Sequence, residues 1–181
     1  MSQLTGGILA MSLGSSPAGN TVEFLAEQIS KAQAAIISSI RNTIKQREKR
    51  VSPDEIDHML EELEKNTKSI TELMKFNYTA VGRIQTTMSL KARTKRVLSN
   101  EQIEVYKNFN ETFEEQSRNL FDILDAIDSH GGFNEVQRAI LNDDDAVVYD
   151  GLKTVSDYQC EAIIKLHDIV NNCAATLALL Q

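Results

Sequence analysis

The sequence predicts an all-α protein, an elongated bundle of four or five helices with coiled-coil-like packing. Three observations carry that prediction. A strict four-then-three spacing picks out Ile56, Leu60, Leu63, Thr67, Ile70, Met74, Asn77, Val81, Ile84 and Met88, the seam of one long amphipathic helix. A second near-heptad stripe runs through Val148, Leu152, Val155, Ala162, Leu166, Ile169, Cys173, Leu177 and Leu180. Turn chemistry is sparse: 8 Gly and 2 Pro in 181 residues leave little to punctuate a series of short strands.

The first 22 residues carry no charged side chain, and Gly6, Gly7, Gly14, Gly19 and Pro17 interrupt any helical pattern. They read as a flexible uncharged tail over residues 1–20, followed by a single helical-bundle domain over 21–181. A secretory signal would need a basic start ahead of a longer apolar run than Ile8 to Leu13. A Ser/Gly-rich start of this kind also suits the uncleaved export signals of specialised bacterial secretion machines.

Asn20 or Thr21 is placed to cap a first helix carrying Leu25, Ile29, Ala32, Ile36, Ile40 and Ile44 up to about Lys49. Ser52-Pro53-Asp54-Glu55 then starts the long helix, with Ser52 as cap, Pro53 at the first helical position and Glu55 completing a capping box. Taken from Pro53 to Leu98, about 46 residues at roughly 1.5 Å each give a rod near 70 Å. Asn77 and Gly82 mark the place where it would bend or break. The short connection before it predicts an antiparallel hairpin with the first helix.

Ser99 followed by Gln102 is a second capping signal. The helix it opens carries Ile103, Tyr106, Phe109, Phe113, Leu120, Ile123, Leu124 and Ile127, and ends where Gly131-Gly132 offers backbone freedom for a turn. Phe133 to Leu141 makes a short helix. Asp143, Asp144 and Asp145 suit the positive end of the last helix.

Charge is segregated within a net of -7. Residues 81–100 hold five bases and no acid, whereas residues 101–150 hold thirteen acids against three bases. The overall acidity speaks against wholesale binding to nucleic acid or anionic lipid. Two basic runs are the candidate phosphate-binding groups, Arg41, Lys45, Arg47, Lys49, Arg50 and Lys91, Arg93, Lys95, Arg96. They lack interleaved aromatics, and in a hairpin the first would face Asp54, Glu55, Asp57, Glu61 and Glu62 while the second would lie near Glu101 and Glu104. Mutual neutralisation is the favoured reading, with a nucleic-acid-associated regulator as the alternative.

No catalytic or cofactor motif is present. His58, His130 and His167 are scattered, and Gly131-Gly132 leads into Phe133 without the Lys-Ser/Thr of a phosphate loop. Asp125, Asp128, His130 and Asp143 to Asp145 have the wrong spacing for an EF-hand, lacking its central Gly and terminal Glu. Neither a metal nor an organic cofactor is expected, and an enzyme is not. Cys160 and Cys173, thirteen residues apart on one helix, would stand about 20 Å apart and read as small buried apolar residues.

No run reaches the roughly 18 to 20 apolar residues of a membrane span, so no transmembrane segment is expected. The eight apolar seam positions Ile56, Leu60, Leu63, Ile70, Met74, Val81, Ile84 and Met88 are the candidate partner-binding surface, for a protein partner or for self-association. They would bury against the second seam of the same chain or against another chain. A further alternative is a cytosolic chaperone or adaptor whose acidic stretch, Glu101 to Asp150, holds a basic client.

The run Gly131-Gly132-Phe133-Asn134-Glu135-Val136-Gln137-Arg138-Ala139-Ile140-Leu141-Asn142-Asp143, followed by one long terminal amphipathic helix, resembles the end of the hydrophilic filament and tip subunits of type III secretion systems. Ser52-Pro53-Asp54-Glu55-Ile56 is similar to a helix start in some of them. The resemblance implies a chain exported unfolded through a needle, with terminal helices pairing in a coiled coil outside the cell. The family tends to have an irregular insert where this chain has its long rod. Function is thus expected to be non-catalytic protein–protein assembly, in the cytoplasm or after secretion by a non-classical bacterial route.

Overall fold

The computed structural model describes residues 18–46, 53–94, 98–129, 131–142 and 144–181. Five helices follow in order: α1 (Ala18–Gln46), α2 (Pro53–Arg93), α3 (Asn100–Asp128), α4 (Phe133–Leu141) and α5 (Asp145–Leu180). No strand occurs among the described residues. The molecule is an all-α helical bundle.

α2 is 41 residues long, about 60 Å at 1.5 Å per residue. It runs unbroken through Asn77 and Gly82, where the sequence suggested a bend, and it stops at Arg93 rather than Leu98. Burial explains the continuity at Asn77, whose Nδ2 donates to the Leu166 carbonyl of α5 at 3.1 Å. Gly82 has open space where a side chain would stand. All ten four-then-three positions of α2 are buried.

Cross-helix contacts set the directions. Glu27 meets Lys75, Gln33 meets Thr67 and Arg41 meets Asp57, so α1 and α2 are antiparallel as expected of a hairpin. Asn66 meets Cys160, Asn77 meets Leu166 and Lys91 Nζ donates to the Leu180 carbonyl, so α5 runs parallel to α2. Asn172 donates to Gln116 and Tyr158 lies beside Gly131, which makes α3 antiparallel to α5. α4 packs across the lower end against α5, and it also touches α1 and α3. One apolar cluster joins all five helices.

Local signals place most boundaries. Ser99 caps α3, accepting from Gln102 N–H at 3.1 Å while the Gln102 side chain accepts from Ser99 N–H at 3.4 Å. The Asp144 carboxylate accepts from Val147 N–H at 3.2 Å and caps α5. Ser52 and its capping box lie outside the described residues. α1 begins at Ala18, so Asn20 and Thr21 are inside the helix and do not cap it.

The buried line of α1 is Ala26, Gln33, Ile37 and Ile40, whereas Ile29, Ile36 and Ile44 sit on its margin, half-buried. An apolar stripe read from sequence passes over Gln33 because it is polar. In α3, Ile103 is 49% exposed. In the register set by Asn172 and Gln116, the first turn of α3 extends past the end of α5, so that helix does not cover it.

Gly132 answers a need for space. Its φ is -113°, on the side of the map that side-chain-bearing residues occupy. A Cβ there would fall 1.9 Å from the Ile127 carbonyl oxygen, because the turn folds back on the last residues of α3. At Gly131 a Cβ would meet only Tyr158, its hydroxyl at 3.7 Å and its ring at 4.0 Å. Gly132→Ala is therefore expected to cost about 1 to 3 kcal/mol, lowering Tm by roughly 2 to 4 °C per kcal/mol, while Gly131→Ala leaves it nearly unchanged. Thermal melts of the two variants side by side check this.

Candidate interaction surfaces

The eight apolar seam residues proposed for partner binding face the chain's own helices. Ile56, Leu60, Leu63 and Ile84 are fully buried, and Ile70, Met74, Val81 and Met88 are at most 9% exposed. α5 supplies the matching stripe, with Val148, Leu152, Val155, Ala162, Leu166, Ile169, Cys173 and Leu180 buried. Of the two alternatives for these seams, packing against one another is the arrangement within this chain.

At one level the core is polar. Gln33 of α1, Thr67 of α2 and Gln159 of α5 are all at least 96% buried and bonded to one another. Gln33 Oε1 accepts from Thr67 Oγ1 at 2.9 Å and from Gln159 Nε2 at 3.3 Å, and Gln159 Nε2 also donates to Thr67 Oγ1 at 3.0 Å. Gln159 Oε1 finds no partner among the described residues. Because each group is desolvated and shared, the layer holds three helices at one height. Sequence marks these positions only as polar residues at or beside seam positions, and it cannot say that they meet.

The first basic run divides. Arg41 lies between Asp57 at 3.8 Å and Glu64 at 2.5 Å, as charge matching across the hairpin requires. Glu64 is an acid that the sequence pairing did not single out; it stands one heptad beyond Asp57 on the same flank. Lys45 is exposed, and Arg47, Lys49 and Arg50 lie outside the described residues. In the second run, Lys91 bonds the last-turn carbonyl of Leu180, a favourable place for a cation at a helix C-terminus. Arg93 is exposed and makes no ion pair with Glu101 or Glu104; Lys95 and Arg96 lie outside the described residues.

α3 presents an acidic outer face, with Glu101, Glu104, Glu111, Glu114, Glu115 and Asp122 all exposed. Lys107 and Arg118 pair within the helix, with Glu111 and Glu114. Asp125 and Asp128 occupy its last turn, where burial and the neighbouring Asp125 carboxylate raise the Asp128 pKa above the usual carboxylate value. Among the described residues no group of three His, Cys, Asp or Glu could hold a metal ion. His58 is exposed, 3.9 Å from Glu62, and His167 is exposed; His130 lies outside the described residues.

The two cysteines part company. Cys173 is buried in the α5 seam, but Cys160 is exposed, one residue past buried Gln159, with its sulfur 3.8 Å from Asn66 Nδ2. The expectation that both are buried thus fails at Cys160, which turns outward toward the α2 flank. α5 also meets, by length and composition, the test for a helix able to cross a membrane, although core helices of soluble proteins pass the same test. Lys165 and Asp168 interrupt its apolar run, so it does not contain 18 to 20 consecutive apolar residues.

Two measurements follow from these environments. Replacing Gln33, Thr67 or Gln159 singly by an apolar residue strands its partners and is expected to cost about 1 to 3 kcal/mol, whereas replacing all three restores most of that loss. Denaturant titration of the four variants beside the native chain checks it. Burial pushes the Cys173 thiol up to about 11, so at pH 8 it stays protonated. Iodoacetamide is expected to modify Cys160 at least tenfold faster than Cys173, a difference that mass spectrometry resolves and that disappears on unfolding.

No protein-family model matches the chain, and no curated protein or solved structure matches it.

Proposed function

We propose that this chain is a non-catalytic helical protein that acts through protein–protein contact. The observation that carries the reading is the apolar surface left over after the seams are satisfied. Phe76, Leu90, Ile164 and Leu179 are 56 to 66% exposed on α2 and α5, the two helices whose seams are already filled internally. Scattered single apolar residues are ordinary on any surface, but here six of the eight large ones exposed among the described residues lie on two adjoining helices, the other two being Ile103 on α3 and Leu141 on α4.

The finer reading is an exported structural subunit of a secretion system. It is supported by the uncharged start of the chain and by the resemblance of residues 131–143 to filament and tip subunits. The pairing of α5 is mainly with α2 and α3, so any similarity to that family's paired terminal helices would rest on the contact of Gln33 with Gln159.

Sedimentation velocity of the full chain over a hundredfold concentration range, with and without extract from its source, tests the reading. A stoichiometric complex is expected, either with one partner or as a reversible oligomer. A monomer throughout, with nothing co-sedimenting, overturns it. Export predicts in addition that the chain reaches the culture supernatant and that deletion of residues 2–17 retains it in the cells.

A further inference from the structure

Each long helix has two flanks beside its seam, and the pairings show which neighbour occupies each. α1 holds one flank of α2, through Asp57, Glu64, Thr67 and Lys75. α5 holds the other, through Asn66 and Asn77. On the α5 side, Leu73 stands one heptad from Asn66, and one step outward Phe76 and Leu90 stand two heptads apart, with Arg83 midway between them. α5 in turn gives one flank to α3, through Asn172, which leaves Ile163, Val170 and Leu177 on its flank toward α2.

These six apolar side chains line the outer trough between two parallel helices. Leu73, Ile163, Val170 and Leu177 are half-buried and form its floor, while Phe76 and Leu90 stand 59% and 56% exposed along one wall. Among the described residues no other helix packs against that side of α2. From Leu73 to Leu90 the trough is about 26 Å long, the length of a helix of some five turns.

Above Glu72 its α2 rim is cationic. Arg83 lies on the α2 wall and Arg93 at the upper end, both exposed and neither in an ion pair among the described residues. Residues 81–100 hold no acid, and the nearest carboxylate on α2 is Glu72 at the lower end. An apolar floor with an unneutralised cationic wall fits a helix that is apolar on one face and acidic beside it.

We propose that this trough binds an amphipathic helix of a protein partner whose apolar face is flanked by Glu or Asp. The inference rests on the reading of the chain as a protein-contact module. The chain's own segments do not supply that chemistry. Residues 1–22 contain no carboxylate, and the acidic helix α3 has already buried Phe109, Phe113, Leu120 and Leu124 in its own core. A flat lipid surface would favour protruding residues, whereas four of these six are recessed.

A display library of 18-residue helices with a fixed apolar face and flanks randomised among Glu, Gln and Lys, selected on the full chain, tests the proposal. Glu is expected to enrich at the flanks, with Glu-flanked peptides binding at least tenfold tighter than Lys-flanked ones at low salt. Phe76→Asp with Leu90→Asp should abolish binding without changing helicity, and Arg83→Glu with Arg93→Glu should reverse the flank preference. Enrichment of Lys, no enrichment, or binding indifferent to Phe76 and Leu90 overturns it. So does sedimentation of the chain with anionic vesicles, or self-association, that depends on Phe76 and Leu90 while no peptide is selected. A natural partner that binds the Phe76/Leu90 variant as well as the native chain leaves the assembly reading intact and removes the trough as its site.

Discussion

The apolar stripe of α2, some 60 Å long, is the constraint on which the rest of the fold depends. Leaving it in water would expose ten seam positions, and each large apolar side chain buried returns about 1.5 to 3 kcal/mol. α1 is a 29-residue helix paired in antiparallel register, so it covers the lower and middle parts of α2 and gives out near Arg83. Cover for the remainder comes from α5, whose 36 residues reach Leu180 beside Lys91. A helix parallel to α2 cannot follow it directly, because the chain leaves α2 at the wrong end. α3 is the return stroke, and α4 turns the chain at the bottom.

Apolar stripes alone do not fix height, because a heptad seam can slip by one repeat and still match apolar against apolar. Three places in this core resist such a slip. Gln33, Thr67 and Gln159 bond across three helices, and Asn77 reaches the Leu166 carbonyl. Lys91 caps the end of α5. Sliding α5 by seven residues would bury Gln159 against apolar side chains and strand Asn77, at the cost of several desolvated polar groups. Among the described residues Gln159 Oε1 and Asn77 Oδ1 have no partner, so the contacts that fix height do not engage every polar atom buried with them.

Local chemistry was what the sequence made legible. The seams of α2 and α5, the Ser99 capping box, the short α4 and the Asp144 cap all depend on residues within a few positions of one another, and each is present. Misreadings arose where tertiary contact overrides local pattern. Asn77 looked like a break because its partner, Leu166, is 89 positions away. Gln33 was passed over on α1 for the same reason, and Gly132 was credited with backbone freedom when the need is for room beside Ile127. The surface was least legible, since which flank of α2 is covered depends on where α1 and α5 dock. Phe76 and Leu90 are just two more apolar residues until that is known.

Charge is arranged differently at the two ends of α2. At the lower end, α1 returns a cation, Arg41, to the carboxylates of Asp57 and Glu64. At the upper end the same logic would require α3 to bring Glu101 and Glu104 onto Arg93. α3 instead follows the far side of α5, from which α2 is shielded, so its acids face outward and Arg93 stays in solvent. The topology that α2's length demands therefore separates an acidic face on α3 from a basic wall on α2. The cationic wall lies beside the α2–α5 trough because Asp168, the one acid of α5 between Ile163 and Leu177, stands about 140° or more around the helix from those flank residues.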